Sequence, residues 1–124
     1  MKRVLIAEDE PHVVRLLSRA LTRAGYAVEA VSNGADALDR LRVETPDVLI
    51  TDIEMPRMNG RELCERIEQE LPEREFLNLV LTAVTADEHR HWVKVLPNTI
   101  FLEKPVSIRK LLGGLETYFE GPAT

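Results

Sequence analysis

The sequence contains a single cysteine, no long apolar run and no excess of positive charge. Cys64 has no partner for an intramolecular disulfide, and it lies in a helical pattern that predicts a packing role. No apolar stretch is long enough to span a bilayer, and Glu8 makes the start of the chain acidic too early for a signal peptide. These absences predict a cytoplasmic protein without a membrane segment.

The charge balance argues against one class of partner. Lys and Arg number 16 against 21 Asp and Glu, which gives a net charge of −5 at pH 7. The arginines are scattered along the sequence, whereas proteins that bind nucleic acid directly usually have a basic patch. We therefore expect no direct contact with nucleic acid, and any effect on DNA would require a partner protein.

Length and composition indicate one globular domain. A chain of 124 residues is too short for two domains of ordinary size, and 44% hydrophobic with 30% charged residues is typical of a globular protein. We expect a single domain over residues 1–124, with a short tail at 121–124 after the last helix.

Short apolar runs alternate with helical patterns along the chain. The predicted strands cover 2–7, 27–31, a central run that ends at Asp52, 76–83 and 100–102. The predicted helices cover 11–24, a segment between Asn33-Gly34 and Pro46, 62–71, 87–96 and a segment after Ser107. Five strands alternating with five helices predict an α/β fold, in which helices cover both faces of a parallel sheet.

Polar side chains stand at the carboxyl ends of four predicted strands: Glu8 and Asp9, Asp52, Thr82, and Lys104. In such a sheet these ends meet at one rim, where ligands bind. The residue types suit phosphoryl transfer to a carboxylate, with Asp52 as the nucleophile. Asp9 and Asp52 would be direct ligands of Mg²⁺, and Glu8 would act through a water molecule. Lys104 and Thr82 would contact phosphoryl oxygens.

Each of these residues also has a purely structural interpretation. Asp9 or Asp52 could cap the helix that follows it, and Thr82 could be a satisfied hydroxyl at a strand end. Lys104 could be a solvated lysine in a turn. Because all these interpretations would have to coincide at one rim, the residues together favour a functional site.

Several motifs resemble, in order and spacing, the receiver domain of two-component response regulators. They are Glu8-Asp9, Asp52 followed by Met55-Pro56 and Gly60, Leu81-Thr82-Ala83, and Lys104-Pro105. The resemblance covers essentially the whole chain. It implies a flavodoxin-like, doubly wound sheet of five parallel strands in the order 2-1-3-4-5.

The resemblance also implies a role for each matching residue. Asp52 corresponds to the phosphoacceptor, Glu8 and Asp9 to the acidic pair that positions Mg²⁺, or alternatively Mn²⁺, and the backbone carbonyl of Glu54 to a further metal ligand. Thr82 corresponds to the switch hydroxyl and Lys104 to the phosphate-binding lysine. Phe101 occupies the place of the switch aromatic, and the Lys104-Pro105 peptide bond matches a position that is cis in the family.

The function implied is that of a signalling domain rather than an enzyme, with self-catalysed phosphotransfer and autodephosphorylation. The phosphoryl group would come from a phosphohistidine of a sensor histidine kinase or histidine phosphotransfer protein. Phosphorylation would switch the face built from the fourth helix, fifth strand and fifth helix toward a downstream protein partner or output domain. The oligomeric state stays open.

Two other classes of function remain at this point. A metal-dependent phosphohydrolase would use Asp52 as the nucleophile and a carboxylate two positions later as acid and base, and Glu54 stands there. A receiver-like module that only binds a partner would need none of the phosphoryl-transfer residues. The complete set of those residues favours the phosphoacceptor over the module.

Overall fold

The computed structural model describes residues 1–82 and 98–120, which form a five-stranded parallel sheet and four helices. The strands are β1 (Arg3–Ala7), β2 (Ala27–Val31), β3 (Val48–Asp52), β4 (Leu77–Thr82) and β5 (Thr99–Glu103). The helices are α1 (Pro11–Arg23), α2 (Gly34–Val43), α3 (Gly60–Glu70) and α4 (Ile108–Glu120). The predicted helix at 87–96 and the tail at 121–124 lie outside the described residues, so α4 is the fifth helix of the prediction.

The strand order is β2-β1-β3-β4-β5, and every neighbouring pair is parallel. This result confirms the predicted fold. The chain runs from β1 outward to β2 and then returns past β1 to β3. The direction of winding therefore reverses between β1 and β3, and the carboxyl ends of these two strands border a crevice.

Two apolar layers hold helices on opposite faces of the sheet. Leu17 of α1 and Leu111 of α4 are buried in one layer, and Leu38 of α2 and Leu63 of α3 are buried in the other. Successive residues of a strand point to opposite faces, so Ile6 enters the first layer while its neighbours Leu5 and Ala7 enter the second. Burial on both sides explains why the central strands are continuous apolar runs.

The helix ends show which residues act as caps. Asn33 accepts a hydrogen bond from the backbone N–H of Asp36, and Asn59 forms a capping box with Glu62 at the start of α3. This box starts α3 at Gly60, two residues before the predicted 62–71. The N-cap of α1 is Glu10. Neither Asp9 nor Asp52 is therefore the N-cap of the helix that follows it.

None of the helices in the described part of the chain is both long enough and apolar enough to cross a membrane.

Candidate functional site

Four strands bring polar side chains to one rim of the sheet. Glu8 and Asp9 directly follow β1, Asp52 ends β3, Thr82 ends β4, and Lys104 directly follows β5. Glu8 and Thr82 are each only 1% exposed and Asp52 is 4% exposed. Burying polar groups in this way is unfavourable unless they are paired or serve a ligand, so the partners of these groups decide what the site can do.

Lys104 lies between two of the carboxylates. Its Nζ is 3.1 Å from Glu8 Oε1 and 3.0 Å from Asp52 Oδ2. Its backbone N–H donates to the carbonyl of Thr82 at 2.6 Å, which joins the end of β4 to the residue after β5. The peptide bond from Lys104 to Pro105 is cis. With a side chain only 17% exposed, Lys104 is not a solvated turn lysine.

Three carboxylates converge beside this lysine. One oxygen from each of Glu8, Asp9 and Asp52 lies within 4.8 Å of the others. Asp9 is exposed, whereas the other two are buried, so the cluster opens to solvent on the Asp9 side. Asp52 Oδ1 also accepts a hydrogen bond from the backbone N–H of Ile53 at 2.8 Å. Closely spaced carboxylate oxygens beside solvent are the kind of ligands that a hard divalent cation uses.

The crowding shifts the pKa values of two groups. Burial, together with the neighbouring Asp52 carboxylate, raises the pKa of Glu8 to about 7, although Lys104 opposes the shift. For Lys104, burial alone would lower the pKa, but the hydrogen bonds and charges of Asp52 and Glu8 outweigh it, and the pKa is raised. Glu8 is therefore harder to ionise than a solvated glutamate, whereas Lys104 is held in its charged form.

The family model of the response regulator receiver domain matches residues 4–116. The chain belongs to this family. It is 38% identical over 121 residues to the response regulator receiver protein CpdR of Brucella abortus, which covers 94% of this chain and 95% of CpdR. The alkaline phosphatase synthesis transcriptional regulatory protein PhoP of Bacillus subtilis is 32% identical over 110 residues. That match covers 89% of this chain but only 45% of PhoP, so the chain spans less than half of this relative.

Solved structures agree with this membership. Chemotaxis protein CheY4 of Vibrio cholerae superposes with a TM-score of 0.84 at 31% identity, covering 94% of this chain and 97% of CheY4. These comparisons confirm the resemblance to receiver domains of two-component response regulators.

In this receiver domain, the loop after β3 is held against the end of the strand. The N–H of Gly60 donates to the carbonyl of Ile53 at 2.8 Å, and a Cβ at position 60 would lie 2.1 Å from the carbonyl oxygen of Asp52. Only glycine permits this approach. The hydroxyl of Thr51 donates to the same Asp52 carbonyl at 2.9 Å. Glu54 lies in this loop and is exposed.

The start of α2 fixes the other end of the same loop. The sequence did not predict this contact. The N–H of Gly34 donates to the carbonyl of Met58 at 2.9 Å, and a Cβ at position 34 would lie 2.3 Å from that oxygen. Arg57, with a φ of 65°, pairs with Asp36 at 3.0 Å. The signal available in the sequence was the repeated Asn-Gly pair, since both helices start with a capping asparagine followed by a closely packed glycine.

Phe101 does not lie at the rim. It stands on β5 opposite Val80 of β4, and its half-buried ring packs against a small core cluster of Ile53, Cys64 and Val80. Ile53 directly follows Asp52, so this cluster includes a neighbour of the central carboxylate. Cys64 is buried, which agrees with the predicted packing role.

Proposed function

We propose that this receiver domain accepts a phosphoryl group on Asp52 from a phosphohistidine of a sensor histidine kinase or histidine phosphotransfer protein. The observation that carries the proposal is the position of the Lys104 ammonium, 3.0 Å from Asp52 in a site with three converging carboxylates. A carboxylate oxygen of Asp52 bonds to phosphorus as the phosphorus–nitrogen bond breaks, and the imidazole keeps the electron pair.

The carboxylate set fits Mg²⁺, and Mn²⁺ as an alternative, because all its donors are oxygens and one of them is open to water. Asp9, Asp52 and the backbone carbonyl of Glu54 would hold the ion, with Glu8 acting through a water molecule. When bound, the ion neutralises negative charge on the phosphoryl oxygens and on the carboxylates. Burial raises the pKa of Glu8, and the Asp52 carboxylate adds to this effect; a cation bound beside the two carboxylates would offset the second contribution.

Lys104 and Thr82 would stabilise the phosphoryl group after transfer. The ammonium of Lys104 already lies between Glu8 and Asp52, so it can contact a phosphoryl oxygen on Asp52 with little movement. Thr82 ends the strand adjacent to β3, and its hydroxyl can donate to another phosphoryl oxygen.

A movement of Thr82 toward the phosphoryl group would change the packing next to it. Phe101 responds by moving further into the space beside Ile53 and Val80, where its ring is already half-buried. This coupling remodels the surface that includes β5 and α4, which then binds a downstream protein partner or output domain. Phe101 has no hydroxyl, so packing alone governs its position.

Incubation with acetyl phosphate and Mg²⁺, followed by intact-mass measurement, tests the proposal. We expect a gain of one phosphoryl group that is lost with hydroxylamine, that needs Mg²⁺ and that is absent in Asp52→Asn. Asp39→Asn changes an exposed carboxylate on α2 and should be phosphorylated normally. The absence of any adduct on the unmodified protein would refute the proposal and favour a module that only binds.

The same samples distinguish a phosphohydrolase. Sustained release of phosphate from a small phosphomonoester, abolished by Glu54→Gln, would show that Glu54 acts as acid and base in an enzyme. A receiver domain should show no such turnover, because its phosphoryl group is a signal rather than an intermediate on a substrate.

A further inference from the structure

A cleft runs from the proposed phosphorylation site over the ends of β1 and β2. It has a volume of about 540 Å³, and Glu8 and Asp9 line its inner end. The end of β2 forms its floor, and a hydrogen bond of 3.0 Å from the N–H of Glu8 to the carbonyl of Val31 joins this floor to β1. The first turns of α1 and α2 form its walls. Asp52 does not line this cleft, which extends past β1 on the side away from β3.

The α1 wall of the cleft carries a basic residue, Arg15. Pro11, Val14 and Arg15 line the cleft together, because residues three and four positions apart are neighbours on a helix surface. Arg15 is exposed, and it forms no ion pair with another residue in the described part of the chain. Its guanidinium can therefore bind a ligand without first breaking a contact within the protein.

The three carboxylates that line the cleft have other contacts or another role. Asp36 on the α2 wall pairs with Arg57 at 3.0 Å. Glu8 pairs with the ammonium of Lys104 at 3.1 Å. Asp9 belongs to the converging carboxylates that we propose as the metal site. The guanidinium on the α1 wall is therefore the charge of this cleft that has no assigned partner.

We propose that Arg15 is a donor-binding residue that makes the site selective for small anionic phosphodonors of the acyl phosphate class. This inference rests on the proposed phosphorylation of Asp52. The phosphoryl group of the donor lies beside Asp52, and its acyl end enters the cleft, where the guanidinium donates to a donor oxygen. A bond forms from Asp52 to phosphorus, the bond from phosphorus to the bridging oxygen breaks, and a carboxylate leaves with the electron pair.

An anionic donor needs a cation on its path into this site. The cluster of Glu8, Asp9 and Asp52 repels negative charge, and it opens to solvent on the Asp9 side, where the cleft begins. The chain as a whole has a net charge of −5, so a local group must attract the anion. Arg15 lies at this entrance, and its planar set of N–H donors matches the oxygens of a phosphate or carboxyl group.

Two donors of different charge test the role of Arg15. Acetyl phosphate has one negative charge more than phosphoramidate at neutral pH, and both transfer the same phosphoryl group. Intact-mass time courses with Mg²⁺ give the second-order rate constant of phosphorylation for each donor. At low ionic strength we expect Arg15→Gln to lower the constant for acetyl phosphate by about threefold and Arg15→Glu by about tenfold. The loss for phosphoramidate should be smaller.

Binding without reaction gives a second measurement. Acetonylphosphonate has a methylene group in place of the bridging oxygen of acetyl phosphate, so it binds without transferring its phosphorus. Titration with this analogue should shift the backbone N–H signals of Ala30 and Ser32, which line the cleft, in NMR spectra of the unmodified protein. The shifts should be weaker in Arg15→Gln at the same concentration. Raising the ionic strength toward about 1 M, where the Debye length is about 3 Å, should reduce the difference between the two proteins.

Two control variants separate this contact from folding and net charge. Arg15→Lys keeps the positive charge and should keep most of the rate with acetyl phosphate. Arg23→Gln removes the same charge at the far end of α1, about 12 Å along the helix axis, and should leave both rates unchanged. All variants should melt at the same temperature as the unmodified protein, because both arginines are exposed.

The outcomes distinguish this inference from the proposed function. If neither donor phosphorylates the unmodified protein, the proposed function is wrong and the role of Arg15 is overturned with it. If the unmodified protein is phosphorylated normally, but Arg15→Gln loses no rate or loses the same factor with both donors, only the role of Arg15 is overturned. A loss in Arg23→Gln as large as that in Arg15→Gln would show an effect of net charge, which also overturns it.

Discussion

Replacing Glu8 by glutamine should stabilise the metal-free protein at alkaline pH. Burial and the Asp52 carboxylate raise the pKa of Glu8 from 4.5 to about 7. The folded protein therefore holds a proton on Glu8 that the unfolded chain has already released. Stability from this group is complete below about pH 4.5 and is lost as pH rises through about 7. Glutamine keeps the size and polarity of the side chain but does not titrate.

The size of the effect follows from the shift. One pKa unit corresponds to about 1.4 kcal/mol, so a shift of this size makes the free energy of unfolding fall by about 2–3 kcal/mol between pH 5 and pH 8. For a chain of this length, that is roughly 8–12 °C in melting temperature. Lys104 keeps a carboxylate partner in Glu8→Gln, because its ammonium also contacts Asp52.

Urea unfolding of both proteins at several pH values, without divalent cations, measures the effect. The difference in the free energy of unfolding between Glu8→Gln and the unmodified protein should grow from pH 5 to pH 8. Taking this difference cancels the contribution of every other titrating group, because the two proteins share those groups. Parallel pH profiles for the two proteins would refute the reasoning, since Glu8 would then titrate alike in the folded and unfolded states.

Three other predictions concern stability. Millimolar Mg²⁺ should raise the melting temperature, because at ten times its Kd the ion adds about 1.4 kcal/mol to the free energy of unfolding. The rise should be smaller in Asp9→Asn. An unmoved melting curve would contradict the metal site. Gly60→Ala should cost about 1–3 kcal/mol in urea unfolding, because its Cβ would lie 2.1 Å from the Asp52 carbonyl oxygen. Gly114→Ala, with nothing within 4 Å of the added Cβ, should instead stabilise α4 by about 1 kcal/mol. Equal effects of the two alanines would show that close packing at Gly60 is unimportant.

The fold was predictable because the strands are short apolar runs, and four of the five carry a polar residue at their carboxyl ends. Val48 to Asp52 is buried throughout, as expected for a central parallel strand, and its carboxylate reaches the rim. Hydrophobic periodicity was less informative about the residues at which helices begin and end. The start of α3 depends on the side chain of Asn59 accepting a hydrogen bond from Glu62, and this contact is not visible in a hydrophobic pattern.

The sequence also indicated which groups meet at the rim, but not how the surrounding loop is held. Arg57 has a positive φ that a non-glycine residue rarely adopts, and its ion pair with Asp36 connects segments 21 positions apart. Such contacts depend on tertiary geometry.

Neutralising Glu8 and neutralising Lys104, the two partners of one ion pair, should have opposite effects on stability. Removing the charge of Glu8 relieves the cost of burying that carboxylate and its repulsion with Asp52, whereas removing the charge of Lys104 leaves two buried carboxylates without compensation. Burial and the net charge of the cluster, rather than the 3.1 Å contact itself, decide the sign. The folded chain therefore retains an excess of negative charge at a rim whose backbone is tightly held by Gly34 and Gly60. Because that backbone cannot easily relax to separate the carboxylates, the proposed Mg²⁺ would find its oxygen ligands already close together.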